Sequence, residues 1–388
     1  MTMDAILMSL MAALNERLLI NVYQRDTDDF YTGYVQILGQ NSVILATYSD
    51  AGIADGSVLI AFNAIDQVEF AGDDLDNMSF RIAVAEDEHF LSIHNQEAPL
   101  KFNPKTSLLP QLAKQVQASG QMVMVILADD DAYLEGQITA LADDRFTLAV
   151  FNKFNYTDVR YLQVDFSDVL VIEFQGLDLY LETLLVKQRD QLKHVRTELH
   201  QNDGQLPAIF RDAQVNQAVV SVMPKDREDQ FYVGTVRAIN DEVVVLSLKD
   251  RASQFGGYAV IRFTAIQSVI TASDYLQTMA FYQKWDEANH FTQQPVLNAD
   301  REFEGGPDLL PQIISEAANF GQVLRIRIAG EDDHLLGYPS DVNDTTFTLN
   351  LIEAETGDQV PIRFDQILEL AFGHIYSYLQ EAQLNSRD

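Results

Sequence analysis

The sequence predicts a mainly β protein with flanking helices, built as four tandem five-stranded small barrels in two duplicated halves. Three observations predict it. Asp26–Leu45 reads as an acidic turn, a strand crossing a glycine, a polar turn and a second, apolar strand, and the pattern returns at Asp129–Leu148, Asp226–Leu246 and Glu331–Leu349. The marker glycines Gly33 and Gly234 lie 201 residues apart, as do Gly136 and Gly337. Around each glycine, five short runs of strand character are separated by turn residues.

The 201-residue offset is supported along the whole chain. Phe62-Asn63-Ala64-Ile65 answers to Phe263-Thr264-Ala265-Ile266, His89-Phe90 to His290-Phe291, and Leu108-Leu109-Pro110-Gln111 to Leu309-Leu310-Pro311-Gln312. Phe166 and Phe174 pair with Phe364 and Phe372 after a slip of three residues, which a shorter loop in the last copy explains. The halves divide near 201, and the four copies give domains at 1–75, 76–178, 179–275 and 276–388.

In the first copy, Leu19–Gln24 alternates into the acidic turn, Phe30–Leu38 crosses Gly33, and Ser42–Thr47 follows the polar turn. Val58–Phe62 and Ile65–Phe70 complete it. Val243–Leu246 in the third copy is β-branched and continuously apolar, the pattern of a strand buried on both faces. The glycine within the second strand marks a sharp bend. Helices are expected at Ile6–Leu18, Ser107–Ala118, Asp308–Asn319 and Leu177–Leu199, from apolar residues spaced three and four apart.

Composition bounds the function. Hydrophobic residues make up 47% of the 388, enough for packed cores. Twenty-six Lys and Arg against 58 Asp and Glu give a net charge of −32, which repels phosphate backbones and anionic lipid at long range. The chain has no cysteine, which removes disulfides, thiolate metal sites and cysteine nucleophiles and fits the cytoplasm. The apolar N-terminal run lacks a basic start and carries Asp4, so a repeat helix is expected there rather than a signal peptide.

A helix, five strands with Gly in the second, an apolar third strand and a closing pair such as Pro361-Ile362-Arg363-Phe364 with Ile367–Leu370 resemble the Sm-like fold. That is the small SH3-like barrel of the Sm and LSm proteins. The likeness is carried by Gly33-Tyr34-Val35, Val43-Ile44-Leu45, Val58–Val68 and their equivalents. It implies barrels with exposed edge strands that pair with one another, and an RNA pocket of polar and cationic residues in two turns. Those turns here read Gly39-Gln40-Asn41 and Asn63-Ala64, with Thr264-Ala265 and Asp365-Gln366 later, and supply no cation or stacking ring.

The most regular polar feature is the acidic turn. Asp28, Asp29, Asp130, Asp131, Glu228, Asp229, Asp332 and Asp333 are candidates to meet a basic protein partner, set against solvated hairpin tips. Lys187, Arg189, Lys193 and Arg196 form the most basic segment, expected on one helix and a candidate contact for nucleic acid. No dinucleotide, phosphate-loop, zinc-protease or nucleophile-elbow motif occurs. The expectation is a non-enzymatic cytoplasmic interaction or scaffold protein without cofactor, metal or membrane contact. The alternative is a diverged Sm-like RNA-binding protein.

Overall fold

The computed structural model describes residues 2–93, 99–128, 133–225, 227, 230–331, 333–352 and 358–385. They form two compact units, Met1–His194 and Val195–Asp388. The division falls ahead of position 201 because Glu198–Gln201 is a strand that pairs with Ile266–Ala272 of the second unit.

The first unit runs α1 (Met3–Glu16), β1 (Leu19–Gln24), β2 (Phe30–Leu38), β3 (Ser42–Tyr48), β4 (Ala54–Ala61), β5 (Ile65–Glu69) and α2 (Asp73–Asp87). It continues with α3 (Leu108–Ser119), β6 (Met122–Leu127), β7 (Leu134–Leu141), β8 (Arg145–Val150), β9 (Arg160–Asp165), β10 (Val169–Phe174) and α4 (Leu177–Lys187). The second unit runs β11 (Glu198–Gln201), α5 (Leu206–Asn216), β12 (Val219–Pro224), β13 (Tyr232–Ile239), β14 (Val243–Lys249), β15 (Phe255–Arg262), β16 (Ile266–Ala272) and α6 (Asp274–Asn289). It closes with α7 (Leu309–Phe320), β17 (Leu324–Ile328), β18 (Leu335–Ser340), β19 (Thr346–Leu351), β20 (Gln359–Arg363), β21 (Ile367–Phe372) and α8 (Ile375–Asn385).

The protein is mainly β, and each unit is organised on one large antiparallel sheet. The first has ten strands in the order β5-β1-β2-β3-β4-β10-β6-β7-β8-β9. The second has eleven, β11-β16-β12-β13-β14-β15-β21-β17-β18-β19-β20. This corrects the expectation of four separate five-stranded barrels. Among the described residues no five-strand segment closes on itself: β4 takes β10 as its second neighbour, with Ile60 opposite Val171, and β15 takes β21, with Tyr258 opposite Phe372.

The apolar runs explain the fusion. Val43, Leu45, Val58 and Ile60 point into a core with α1 residues Ile6 and Leu10. The intervening Ile44 and Leu59 point the other way, into a core with α3 residues Leu108, Leu112 and Val116. In the second unit Val244 and Leu246 pack with α5 residue Phe210, while Val243 and Val245 pack with α7 residues Leu310 and Ile314. A strand apolar on both faces must be covered on both, so each segment completes its neighbour's core.

Gly33 lets β2 lie close against β3. A Cβ there would lie 2.0 Å from the carbonyl oxygen of Ala46 on β3, and Gly136, Gly234 and Gly337 meet the next strand's carbonyl in the same way. Helix ends also follow sequence. His89 and His290 adopt left-handed φ angles of 55° and 56°. That turn lets Phe90 and Phe291 donate their N–H groups to the carbonyls of Ala85 and Asp286 and bury their rings.

The expected helix over Leu177–Leu199 is corrected too. It ends at Lys187, a short 3₁₀ turn covers Arg189–Gln191, and residues 192–197 have no regular secondary structure. The N–H of Val195 donates to the Asp274 carboxylate at 2.7 Å, holding this stretch against α6 instead of in helical bonds.

Candidate functional site

The first acidic turn is fixed by its own backbone. Gln24 donates to the carbonyl of Asp29, Arg25 donates to Ala64, and Asp29 donates to the Thr27 hydroxyl at 3.0 Å. Asp26 takes a φ of 63° to close the reversal. The Arg25 guanidinium also donates to the carbonyl of Ile65, tying the tip to the start of β5. The exposed carboxylates of Asp28 and Asp29 are thereby held at one end of β2.

There they line a cleft of about 300 Å³. Phe30, Tyr31 and Thr32 of β2 form one wall. Thr47, Tyr48 and Asp50 at the end of β3 form a second, and Asp74, Asn77, Met78 and Arg81 of α2 form the third. Four carboxylates thus face one guanidinium, and Arg81 spends a donor on the backbone carbonyl of Asp50 at 3.0 Å. Aromatic and thioether surface lies between the charges. Tyr48 meets Tyr34 edge-on, with centroids 5.9 Å apart, and burial raises its hydroxyl above the ordinary phenol range.

The floor is polar and satisfied. The Tyr31 hydroxyl donates to Glu173 of β10 at 2.6 Å. Thr32 donates to Asn21 at 2.6 Å, and Asn21 donates in turn to Glu69 at 3.2 Å. Burial, then the adjacent Glu173 charge, holds the Tyr31 phenol protonated well above its usual range. Burial also raises the Glu173 carboxyl.

The corresponding place in the second unit is built differently. At the 201-residue offset, Asp50 gives way to Arg251, Asp74 to Tyr275 and Arg81 to Tyr282. Tyr275 lies edge-on to Phe231 at 5.5 Å, and Tyr282 is buried. A ring, Tyr275, thus stands at the position of one cleft carboxylate, Asp74, and a cation, Arg251, at that of another, Asp50.

A second cleft of about 580 Å³ lies among Asn240, Glu242, Arg262, Pro311, Arg363 and Asp365. Three carboxylates, Glu242, Asp344 and Asp365, face two guanidiniums there, so only one negative charge is left over. Arg262 pairs with Glu242 and donates to the carbonyls of Phe364 and Ile367, and Arg363 pairs with Asp365. The first cleft keeps its excess of carboxylates and is the stronger candidate.

Of the sequence candidates, Asp28 and Asp29 line the first cleft, and Asp333 is exposed in the turn before β18. Asp130, Asp131, Glu228, Asp229 and Asp332 lie outside the described residues. The basic candidates are not brought onto one helix face. Lys187 ends α4, Arg189 sits in the 3₁₀ turn, and Lys193 and Arg196 follow in chain without regular secondary structure on either side of the division between units. Asp50, Asp74 and Arg81 went unnoticed in the sequence, although their departure from the 201-residue match marks them.

Among the described residues no group of three histidine or carboxylate side chains is arranged to hold a metal ion, and no helix is long and apolar enough to cross a membrane. No protein-family model matches this chain, and no curated protein is significantly similar to it.

Proposed function

We propose that this is a non-enzymatic cytoplasmic interaction protein that engages a basic protein partner through the cleft at Asp28, Asp29, Asp50 and Asp74. The observation that carries the reading is the cleft itself: four carboxylates around aromatic walls, at a place where the second unit carries Arg251 and tyrosines. A lysine or arginine side chain matches it. Its aliphatic stem lies along Phe30, Tyr48 and Met78 while its charged head meets the carboxylates. The net charge of −32 adds long-range attraction for such a partner.

In this reading each five-stranded segment is an Sm-like, SH3-like module, and each half of the chain is a fused pair of them. The joining of β4 to β10 and of β15 to β21 supports it, since edge-strand pairing is what the resemblance implies. The RNA-binding alternative takes its contacts from the helix around Lys187–Arg196 or from another basic patch, and the residues of that expected helix are spread over a helix end, a 3₁₀ turn and irregular chain.

Titration of the full chain with a fluorescent lysine- and arginine-rich peptide, and separately with single-stranded RNA, tests the proposal. Saturable peptide binding that weakens with salt supports it. RNA binding with no peptide binding overturns it.

A further inference from the structure

The two sheets end differently. Among the described residues, β5 and β9 are the outermost strands of the first sheet. In the second sheet β16, the counterpart of β5, is covered by β11, with Leu199 opposite Ile270. At the other end β20 carries Pro361 opposite Thr348, where β9 carries Gln163 opposite Thr147. A proline has no N–H to give to a further strand. The second sheet thus covers one of these edges and blunts the other, and the first does neither.

The side chains follow the same division. At the joint inside the second sheet, Tyr258 of β15 stands opposite Phe372 of β21, with ring centroids 5.5 Å apart and each residue only 1% exposed. At the joint inside the first sheet, Ser57 of β4 stands opposite Phe174 of β10. Phe70 follows Ile65 by five residues, as Phe174 follows Val169 and Phe372 follows Ile367. The covered edge has Thr271 at that position, bonded to His200 of β11 at 2.9 Å. Tyr161 of β9 stands opposite Ala149, as Tyr258 stands opposite Ser247, and the blunted edge has Gln359 there. The edges of the first sheet therefore carry the aromatic residues of a joint, and those of the second carry polar ones. Phe70 is 39% exposed and Tyr161 is 64% exposed.

We propose that β9 of one chain pairs antiparallel with β5 of a second copy, extending the sheet of the first unit from chain to chain. The joint of β4 with β10 is the template, since it joins the fourth strand of one segment to the fifth of the other, as β9 and β5 are. Its register sets Tyr161 opposite Phe70 of the second copy, Leu162 opposite Glu69 of the second copy and Gln163 opposite Val68 of the second copy. Ser57, Val58 and Leu59 stand opposite Phe174, Glu173 and Ile172 in the same way. The pairing gives the backbone groups of both edges partners and turns two exposed rings into a cross-strand pair like Tyr258 and Phe372. It joins two different edges, so it repeats from copy to copy until a ring closes. The net charge of −32 opposes it, so added salt strengthens it.

Sedimentation equilibrium of the full chain, over a range of concentration and salt, tests the proposal. A mass above 43.7 kDa that rises with both is expected. Gln163→Pro, which takes the residue found at 361, and Phe70→Lys are each expected to hold the folded chain at 43.7 kDa. Tyr161→Asp serves in place of Gln163→Pro where circular dichroism shows that the proline variant does not fold. Mixed in equal amounts, the β9 variant and Phe70→Lys are expected to reach twice that mass, because one keeps a sound β5 and the other a sound β9. A wild-type chain that stays at 43.7 kDa up to millimolar concentration and high salt overturns the proposal. So does a folded Phe70→Lys chain that associates like the wild type, or a mixture of the two folded variants that stays monomeric.

Discussion

The hydroxyl of Tyr31 donates to Oε1 of Glu173 at 2.6 Å, linking β2 to β10 beneath the acidic cleft. Tyr232, 201 residues later, makes the same kind of bond to Glu369 at 2.8 Å, but Glu369 also holds Arg327. Replacing either tyrosine by phenylalanine removes a donor from a largely buried carboxylate.

Tyr31→Phe is expected to cost roughly 1–3 kcal/mol. Tyr232→Phe is expected to cost less, because Arg327 still satisfies Glu369. The Tyr31 bond counters the upward pull of burial on Glu173. Its loss therefore raises that carboxyl further, and the stability difference grows as pH rises from 4 to 8. Urea unfolding of both variants at the two pH values checks this. Equal losses in the two variants would argue against it.

Leu59 and Ile60 are neighbours on β4 that serve different cores. Leu59→Ala is expected to destabilise by about 2–5 kcal/mol, as is Ile60→Ala. Their footprints should differ. Hydrogen exchange is expected to show lost protection in α3 and β6 for Leu59→Ala, and in α1 and β1 for Ile60→Ala. Identical footprints would contradict the division of β4 between two cores.

Much of this division was written in the sequence. The boundaries of Leu19–Gln24 and Phe30–Leu38 follow from alternation between turn residues, and the structure has the same limits. The unbroken apolar run at Val243–Leu246 states that both faces are covered. It does not state which edge β15 meets, because hydrogen bonds along an edge are backbone bonds and leave no side-chain signature. Leucine spacing ran on past Lys187 and suggested a longer helix, whereas α4 ends there, a 3₁₀ turn follows and Val195 donates to Asp274 of α6. Asp28 and Asp29 stand out by repetition. Asp50, Asp74 and Arg81 complete the cleft by breaking it, so only a comparison of the halves for mismatches finds them.

Asp286 on α6 is fully buried, and neither of its carboxylate oxygens has a hydrogen-bond partner. Burial, then the charge of Asp250, raises its pKa to about 8, with Glu287 adding to the rise and Lys249 opposing it. A carboxyl raised in the folded state gives stability that is fully present below about pH 4 and is lost as pH climbs through 8. Asp286→Asn is expected to remove this loss, which reaches on the order of 1.4 kcal/mol per pH unit. Unfolding curves at pH 5, 6, 7 and 8 measure it. Parallel pH profiles for variant and wild type would refute it.

The cleft is tested most directly by filling it. Asp74→Tyr places there the side chain that stands at position 275 in the second unit, exchanging a carboxylate for a ring against Phe30. Fluorescence anisotropy of a labelled lysine- and arginine-rich peptide, titrated with the wild-type chain and with Asp74→Tyr at 150 mM salt, is the decisive measurement. The account predicts saturable binding to the wild type and at least tenfold weaker binding to a folded Asp74→Tyr chain. Equal binding by the two proteins, or none by the wild type, would contradict it.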